Sequence, residues 1–257
     1  MPESDLALLI GAARQAGEVA LGFVGGDLGV ELKEHDNSPV TKADHAVNAR
    51  LSDVLRGARP DYGWLSEETP DDPARLIPQR TFIIDPIDGT RSFIEGARTW
   101  AHALAIVDAG IVQAAVVYLP MLDKLYAASL GGGAFLNHAP IRTSGTSSPD
   151  AAEVLATRPS LSAEYWPGGV PALKRSHRPS LAYRQSLVAE GRYDAMFTFR
   201  PTWEWDIAAG ALILSEAGAR ITDSRGADLR FNAPVPQADG LLAANPPLHS
   251  ALLAKLR

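Results

Sequence analysis

Apolar residues recur at Leu6, Leu9, Ile10, Ala13, Gly17, Ala20, Leu21 and Val24, a spacing that predicts an amphipathic core helix from Asp5 to Val24 with Asp5 as its cap. Val47, Leu51, Val54 and Leu55 share one face of a second helix, with Asp44 at its beginning. Between the two, VELKE after Gly29 reads as a strand, and DNSPVTKAD, from Asp36 to Asp44, as a polar loop in which Ser38 and Pro39 oppose regular structure. Trp64 and Leu65 predict a short strand ending at the adjacent acids Glu67 and Glu68. Phe82 to Ile84 then give a buried-strand signal that is expected to stop at Asp85, before the chain-breaking Pro86.

Ala101 to Val107, Ile111 to Tyr118 and Lys124 to Ala128 predict three strands separated by DAG and LPMLD turns, an antiparallel meander. Gly131, Gly132 and Gly133 have no following Lys-Ser or Lys-Thr and precede a strand-like AFLN, so a hairpin turn is expected rather than a nucleotide loop. Ser, Thr, Gly and Pro gather from Ser144 to Pro149, marking the internal boundary. Beyond it strand-like VLAT, a helix around Ser180 to Glu190, strand-like DAMFTF, a helix from Ile207 to Ala217 ended by Gly218, and strands near Arg220 to Thr222 and Leu241 to Ala244 alternate before a terminal helix. The pattern is α+β: an antiparallel-sheet half over residues 1–145 closely joined to a smaller α/β half over residues 146–257.

Composition narrows the classes. At 257 residues and 46% hydrophobic content the chain buries a substantial core. A formal net charge of −6 without a basic block argues against a general nucleic-acid or anionic-membrane binder. No apolar run is long enough for a membrane span and no basic-then-hydrophobic leader opens the chain, so a cytoplasmic protein is expected. The absence of cysteine removes disulfides, thiolate metal sites and cysteine nucleophiles.

The chemistry concentrates in TFIIDPIDGTRSF, Thr81 to Phe93. Two carboxylates, Asp85 and Asp88, sit three positions apart on a bend that leads through Gly89 and Thr90 into a short helix. Crowded carboxylates repel, and a hard cation such as Mg²⁺ relieves the repulsion. Glycine lets backbone approach a ligand, and amides at a helix start donate to phosphate. The competing reading is an Asx-type turn in which both acids only cap amides. Asp44 and Asp206 carry the same ambiguity, since an Asp at a helix start favours the dipole or caps it without any other role.

In combination these segments resemble the inositol monophosphatase superfamily of Mg²⁺-dependent, lithium-sensitive phosphatases. The carriers are Asp44 in TKAD, the pair Glu67 and Glu68, DPIDGT from Asp85 to Thr90, and Trp205 with Asp206 before a small-residue helix; EAGA, with Ala219, replaces the family's frequent EAGG. The resemblance implies a layered αβαβα sandwich and two or three Mg²⁺ ions held by Glu67, Asp85, the carbonyl of Ile87, Asp88 and Asp206. It further implies that Thr90 and Asp44 activate water, and that amides around Gly89 and Thr90 cradle the phosphate of a small monoester. Family members are often dimers, which leaves a homodimer open.

Within the superfamily, DNSPVTKAD, WLSEET and LVAEG look most like the 3'(2'),5'-bisphosphate nucleotidases, acting on adenosine 3',5'-bisphosphate. TWAHALAIV is similar to histidinol-phosphate phosphatases, and inositol-1-phosphate phosphatases share the metal motifs. Phe199 and Arg200 stand where the family's inositol-contacting acid is expected, leaving Arg200 to meet a second anionic group. Arg158, Arg184 and His177 are further candidate contacts, with surface solvation the simpler reading of each. A metal-binding regulatory protein with little turnover is the alternative class; the complete set of ligands and water-activating residues favours an enzyme.

Overall fold

The computed structural model describes residues 4–33 and 37–256; Glu34 of the expected VELKE strand and Asp36 of the polar loop lie outside the described residues. Helix α1 (Asp5–Leu21) is capped by Ser4, whose Oγ accepts the Ala7 N–H at 3.2 Å. Asp5 falls inside the first turn instead, because its carboxylate is taken by Arg59 and Arg80, each at 3.0 Å. The helix stops at Leu21, short of Val24. Strands β1 (Glu31–Leu32) and β2 (Pro39–Val40) pair antiparallel, so Pro39 joins a two-residue ladder rather than an open loop. Helix α2 (Lys42–Ala58) follows.

The central sheet holds β3 (Gly63–Ser66), β4 (Arg80–Asp88), β5 (Ala101–Asp108), β6 (Ile111–Leu119), β7 (Lys124–Ser129), β8 (Gly133–Leu136) and β9 (Ala139–Pro140) in chain order. β3 and β4 are parallel; every later neighbour is antiparallel. Helix α3 (Thr90–Ile94) links β4 to β5, and Gly131, at φ +72°, turns the β7–β8 hairpin that the triple glycine predicted.

The rest of the chain supplies β10 (Glu153–Leu155), β11 (Lys174–Ser176), α4 (Leu181–Ala189), β12 (Ala195–Thr198), β13 (Thr202–Trp203), α5 (Glu204–Glu216), β14 (Arg220–Thr222), β15 (Gln237–Ala238), β16 (Leu241–Ala244) and α6 (Pro246–Leu253). Five of these strands form a mixed sheet in the order β11-β10-β12-β16-β14, parallel through its first three strands and antiparallel beyond. β13 pairs with β15 apart from it.

Burial follows strand alternation and sets the layers. Phe82, Ile84, Leu104 and Ile106 pack with Leu9, Val47 and Leu51 of α1 and α2. Ile83, Ala103 and Ala105 point to the opposite face, against Leu187 of α4 and Ile213 of α5, and Met196 and Ala243 of the second sheet close that core from beyond. Phe197 and Leu242 face outward again, onto Leu248 of α6 and onto Trp166 from the segment between β10 and β11. The sequence is helices, sheet, helices, sheet, helix: the αβαβα sandwich that the resemblance implied. No helix among the described residues is long and apolar enough to cross a membrane.

Two boundaries differ from expectation where the chemistry lies. β4 does not stop at Asp85; it runs through Pro86 to Asp88, with a register shift between those acids that absorbs the proline. α5 begins at Glu204 with Trp203 at its N-cap, so Asp206 sits inside the first turn and is not the cap.

Candidate metal centre and active site

β4 brings its acids to the middle of the fold because both its neighbours pair with it up to that point. Asp85 lies opposite Ala103 and Asp88 opposite Ala101, so two residues, Pro86 and Ile87, oppose one. This bulge turns Asp85 and Asp88 toward the same space, where Asp206 arrives from the first turn of α5. Carboxylate oxygens of the three lie within 4.8 Å of one another. Small Ala208, Ala209 and Gly210 let α5 approach. A Cβ on Gly210 would come within 2.4 Å of the Gln185 side chain, whose Nε2 donates to the Asp206 carbonyl at 3.0 Å.

The three acids are not equally satisfied. Asp88 accepts hydrogen bonds from Ser180 Oγ (2.6 Å), the Ala182 N–H (2.6 Å) and the Leu181 N–H (3.3 Å), and so caps α4. Both oxygens of Asp85 are buried with no hydrogen-bond partner among the described residues. Burial raises its carboxyl well above the usual range, and the negative charges of Glu67, Asp88 and Asp206 push it further. Asp206 is raised by burial, then by Asp88 and Glu67. A buried carboxylate without a partner is costly, and a cation among these oxygens is the group that removes the cost. The donor set, all oxygen, fits Mg²⁺.

Glu67 and Glu68 follow β3. The Glu67 N–H donates to the Ile84 carbonyl at 3.2 Å, which seats Glu67 beside the last residues of β4. Lys33 bridges the two glutamates, its Nζ 2.7 Å from each. Burial pulls the lysine pKa down, but the paired acids outweigh burial and hold it above its ordinary value. Glu68 is pushed up to about 7 by burial and by Glu67, against the pull of Lys33.

Asp44 stands at the start of α2 in a capping box, its Oδ2 accepting from the Thr41 N–H (2.8 Å) and Thr41 Oγ (2.6 Å). Its other oxygen is 3.3 Å from Thr90 Oγ1, which also lies 3.2 Å from the Ile87 carbonyl. Both readings of this acid therefore hold at once: it caps the helix and reaches Thr90. Burial raises its carboxyl, a shift the Thr41 hydrogen bonds oppose. Gly89 adopts φ +98°, a left-handed conformation open to glycine and strained for other residues, and this turn delivers the first free amides of α3.

A cleft of about 830 Å³ opens beside the cluster, lined by Lys33, Glu67, Asp206, Arg200, Trp203 and Trp205 among others. The two indoles stack, centroids 4.7 Å apart and planes at 11°. Arg184 is buried on α4; its guanidinium donates to the carbonyls of Arg178 and Pro179 and contacts His177 Nε2 at 2.8 Å. Burial lowers it to about 10, while its charge acts on Asp88, Arg200 and Asp206. Surface solvation is thus wrong for Arg184. Arg158 is exposed beside a short 3-10 turn and is not among the residues lining the cleft.

Sequence reasoning missed Lys33, Trp203, Ser180 and His102. Only His102 left a signal, as the one imidazole in the otherwise apolar run TWAHALAIV.

Comparison with known proteins agrees with this geometry. The family model described as "Inositol monophosphatase family" matches residues 1–257. A histidinol-phosphatase of Chlorobaculum parvum is 31% identical over 258 residues, covering 98% of this chain and 96% of that protein. An inositol-1-monophosphatase of Rhizobium meliloti is 34% identical over 197 residues, 73% of each chain. The solved structure of an IMPase from Thermotoga maritima superposes with a TM-score of 0.82 at 28% identity, covering 96% of this chain and 94% of that one.

Proposed function

Because the chain belongs to the inositol monophosphatase family and is thereby a Mg²⁺-dependent phosphatase, we propose that it removes the 3'-phosphate of an adenosine 3',5'-bisphosphate-type nucleotide. The observation that carries this choice is the wall of the cleft: Arg200, Trp203 and Trp205 stand beside Asp206. Stacked indoles suit a flat nucleobase, and a guanidinium suits a second phosphate. Arg184, buried with no carboxylate partner among the described residues, adds positive charge behind the same wall.

In this reading residues 1–145 carry Glu67, Asp85, the Ile87 carbonyl and Asp88, while residues 146–257 supply Asp206 and the substrate contacts. These groups would hold two Mg²⁺ ions, with a third sharing Glu67. Bound Mg²⁺ supplies charge neutralisation at the phosphate and lowers the pKa of water. The protein's own part is positional and protic. Thr90 Oγ1 accepts a proton from the attacking water as its own proton passes to Asp44 Oδ1, 3.3 Å away. Asp44 suits the task because burial makes its carboxylate more basic. The amides of Gly89 and Thr90 cradle the phosphate, and Asp88, fixed to α4, keeps its position throughout. Inhibition by lithium goes with the same reading.

A second reading, histidinol phosphate, is favoured by the relative of that name that this chain matches over nearly its full length. An imidazole could use the same indoles, but the substrate's ammonium would meet Arg200. The test is kcat/KM with Mg²⁺ for adenosine 3',5'-bisphosphate, histidinol phosphate and inositol 1-phosphate, in the wild type and in Arg200→Ala. The nucleotide reading expects a preference of several orders of magnitude for the bisphosphate and a raised KM for it alone in the variant. Preference for histidinol phosphate, unharmed or improved by the substitution, overturns it.

A further inference from the structure

His102 is fully buried on β5 and takes no part in the chemistry above. Its neighbours in the strand alternate cleanly: Ala101, Ala103 and Ala105 face α4 and α5, Leu104 and Ile106 face α1 and α2. His102 therefore shares the second face, with Trp100 edge-on at 5.5 Å and Tyr118 at 6.4 Å. An imidazole in such a layer is unfavourable unless its polar atoms are used. One is used. Nδ1 hydrogen-bonds the carbonyl of Pro86, and since a carbonyl only accepts, Nδ1 carries the proton. Nε2 is buried without a hydrogen-bond partner among the described residues. Burial lowers the pKa to about 4, so the ring is neutral at pH 7.

The position of that carbonyl gives the contact its meaning. Asp85 is opposite Ala103 and Asp88 opposite Ala101, so His102 is the single β5 residue facing the two bulged residues Pro86 and Ile87. A bulge interrupts the ladder, and the extra residue's backbone groups need partners from elsewhere. The Pro86 carbonyl gets its partner from a side chain, and the Ile87 carbonyl faces Thr90 Oγ1 at 3.2 Å. The imidazole contact holds the Pro86–Ile87 peptide plane, which lies between Asp85 on one side and the Ile87 carbonyl on the other.

We infer that His102 is a positioning residue that closes the β4 bulge and thereby sets the affinity of the metal centre. This rests on the reading of Asp85, the Ile87 carbonyl and Asp88 as Mg²⁺ ligands. Without the imidazole the peptide is free to rotate and the ligands lose their common aim; partners of this kind around a metal are worth about 10- to 100-fold in affinity.

The test is Mg²⁺ binding by isothermal titration calorimetry, well below the melting temperature, on the wild type, His102→Leu and His102→Asn. Asn places its amide nitrogen where imidazole carries Nδ1, and can donate to the same carbonyl. His102→Leu is expected to weaken Mg²⁺ by about tenfold or more, with the stoichiometry of the folded fraction unchanged, and His102→Asn to recover to within a few-fold of wild type. Loss of fold alone would lower the fraction that binds and leave the dissociation constant in place. An unchanged dissociation constant in His102→Leu, or one equally weakened in His102→Asn, overturns the inference. Absence of Mg²⁺ binding by the wild type would instead overturn the metal reading beneath it.

Discussion

At one end of the β4 bulge Asp88 receives three hydrogen bonds from Ser180 and the first amides of α4. At the other end Asp85, also buried, receives none from the described residues. Both acids look alike in DPIDGT, but the fold spends them differently. Asp88 has a structural occupation that would justify it in a protein without metal: it joins the central sheet to a helix of the second half of the chain. Asp85 has no such occupation, and its burial among like charges is a standing cost until a cation arrives.

The widest separation between the two comes from removing one charge at a time. Asp85→Asn should abolish turnover, a loss of about 10³-fold or more for several kcal/mol of missing charge stabilisation. It should also remove the thermal stabilisation that Mg²⁺ gives, yet leave the metal-free protein's Tm unchanged or higher, because an unpaired buried acid has been neutralised. A lower metal-free Tm would show that Asp85 has a structural partner after all. Asp88→Asn should lose comparable activity and in addition melt earlier without metal. Its amide cannot accept from all three α4 donors, at a cost of about 1–3 kcal/mol. If both variants melt alike in chelator, the contrast between the two ends is broken.

That contrast was not readable in the chain, although most of the fold was. Strand and helix periodicities located the meander and its hairpins because alternation and 3.6-residue spacing are local properties. DPIDGT, WD and TKAD pointed to the acids for a similar reason: the order along the chain is itself the pattern. What escaped was set by contacts distant in sequence. Lys33 meets Glu67 across the start of the fold, Ser180 meets Asp88 from 92 residues away, and His102 meets Pro86 across the ladder. The strand continues past the end expected at Asp85, because proline stops a strand only where the ladder needs the N–H it lacks. The bulge accommodates it, since at a position outside the regular ladder the N–H that proline lacks is not required.

Acid titration sharpens the comparison through the second half of the molecule. Asp85 and Asp206 have pKa values raised on folding, so protonating them favours the folded state as pH falls. Buried His249, lowered to about 4 by burial and by Arg220, works the other way. Its contribution is complete above the unfolded value near 6.5 and is lost as pH falls from there through 4. His249→Gln keeps a partner for Thr222, which His249 Nε2 meets at 2.9 Å, and removes the charge to be gained. Its stability relative to wild type, both in chelator, should therefore be more favourable at pH 5 than at pH 7, by about 2 kcal/mol. An identical difference at the two pH values would mean that His249 is not held neutral.

The smallest effect concerns Glu67, an acid beside the cluster that is paired with a cation of the protein itself. Glu67 shares Lys33 with Glu68 at 2.7 Å each, so the metal-free centre is neutralised at its rim and left bare at Asp85. Magnesium entering beside Glu67 meets an ammonium already there, and the repulsion between the two cations reduces what the metal gains. Lys33→Met keeps much of the apolar stem and removes that charge. The variant should melt earlier than wild type in chelator, because two part-buried glutamates lose their counter-ion, and bind Mg²⁺ a few-fold tighter. Calorimetric titration beside a melting curve separates the two changes, which have opposite signs. Weaker binding in Lys33→Met would mean that the lysine helps to aim Glu67 at the metal rather than competing for it, and Glu67 would then belong with Asp88, as an acid the fold holds in place, and not with Asp85.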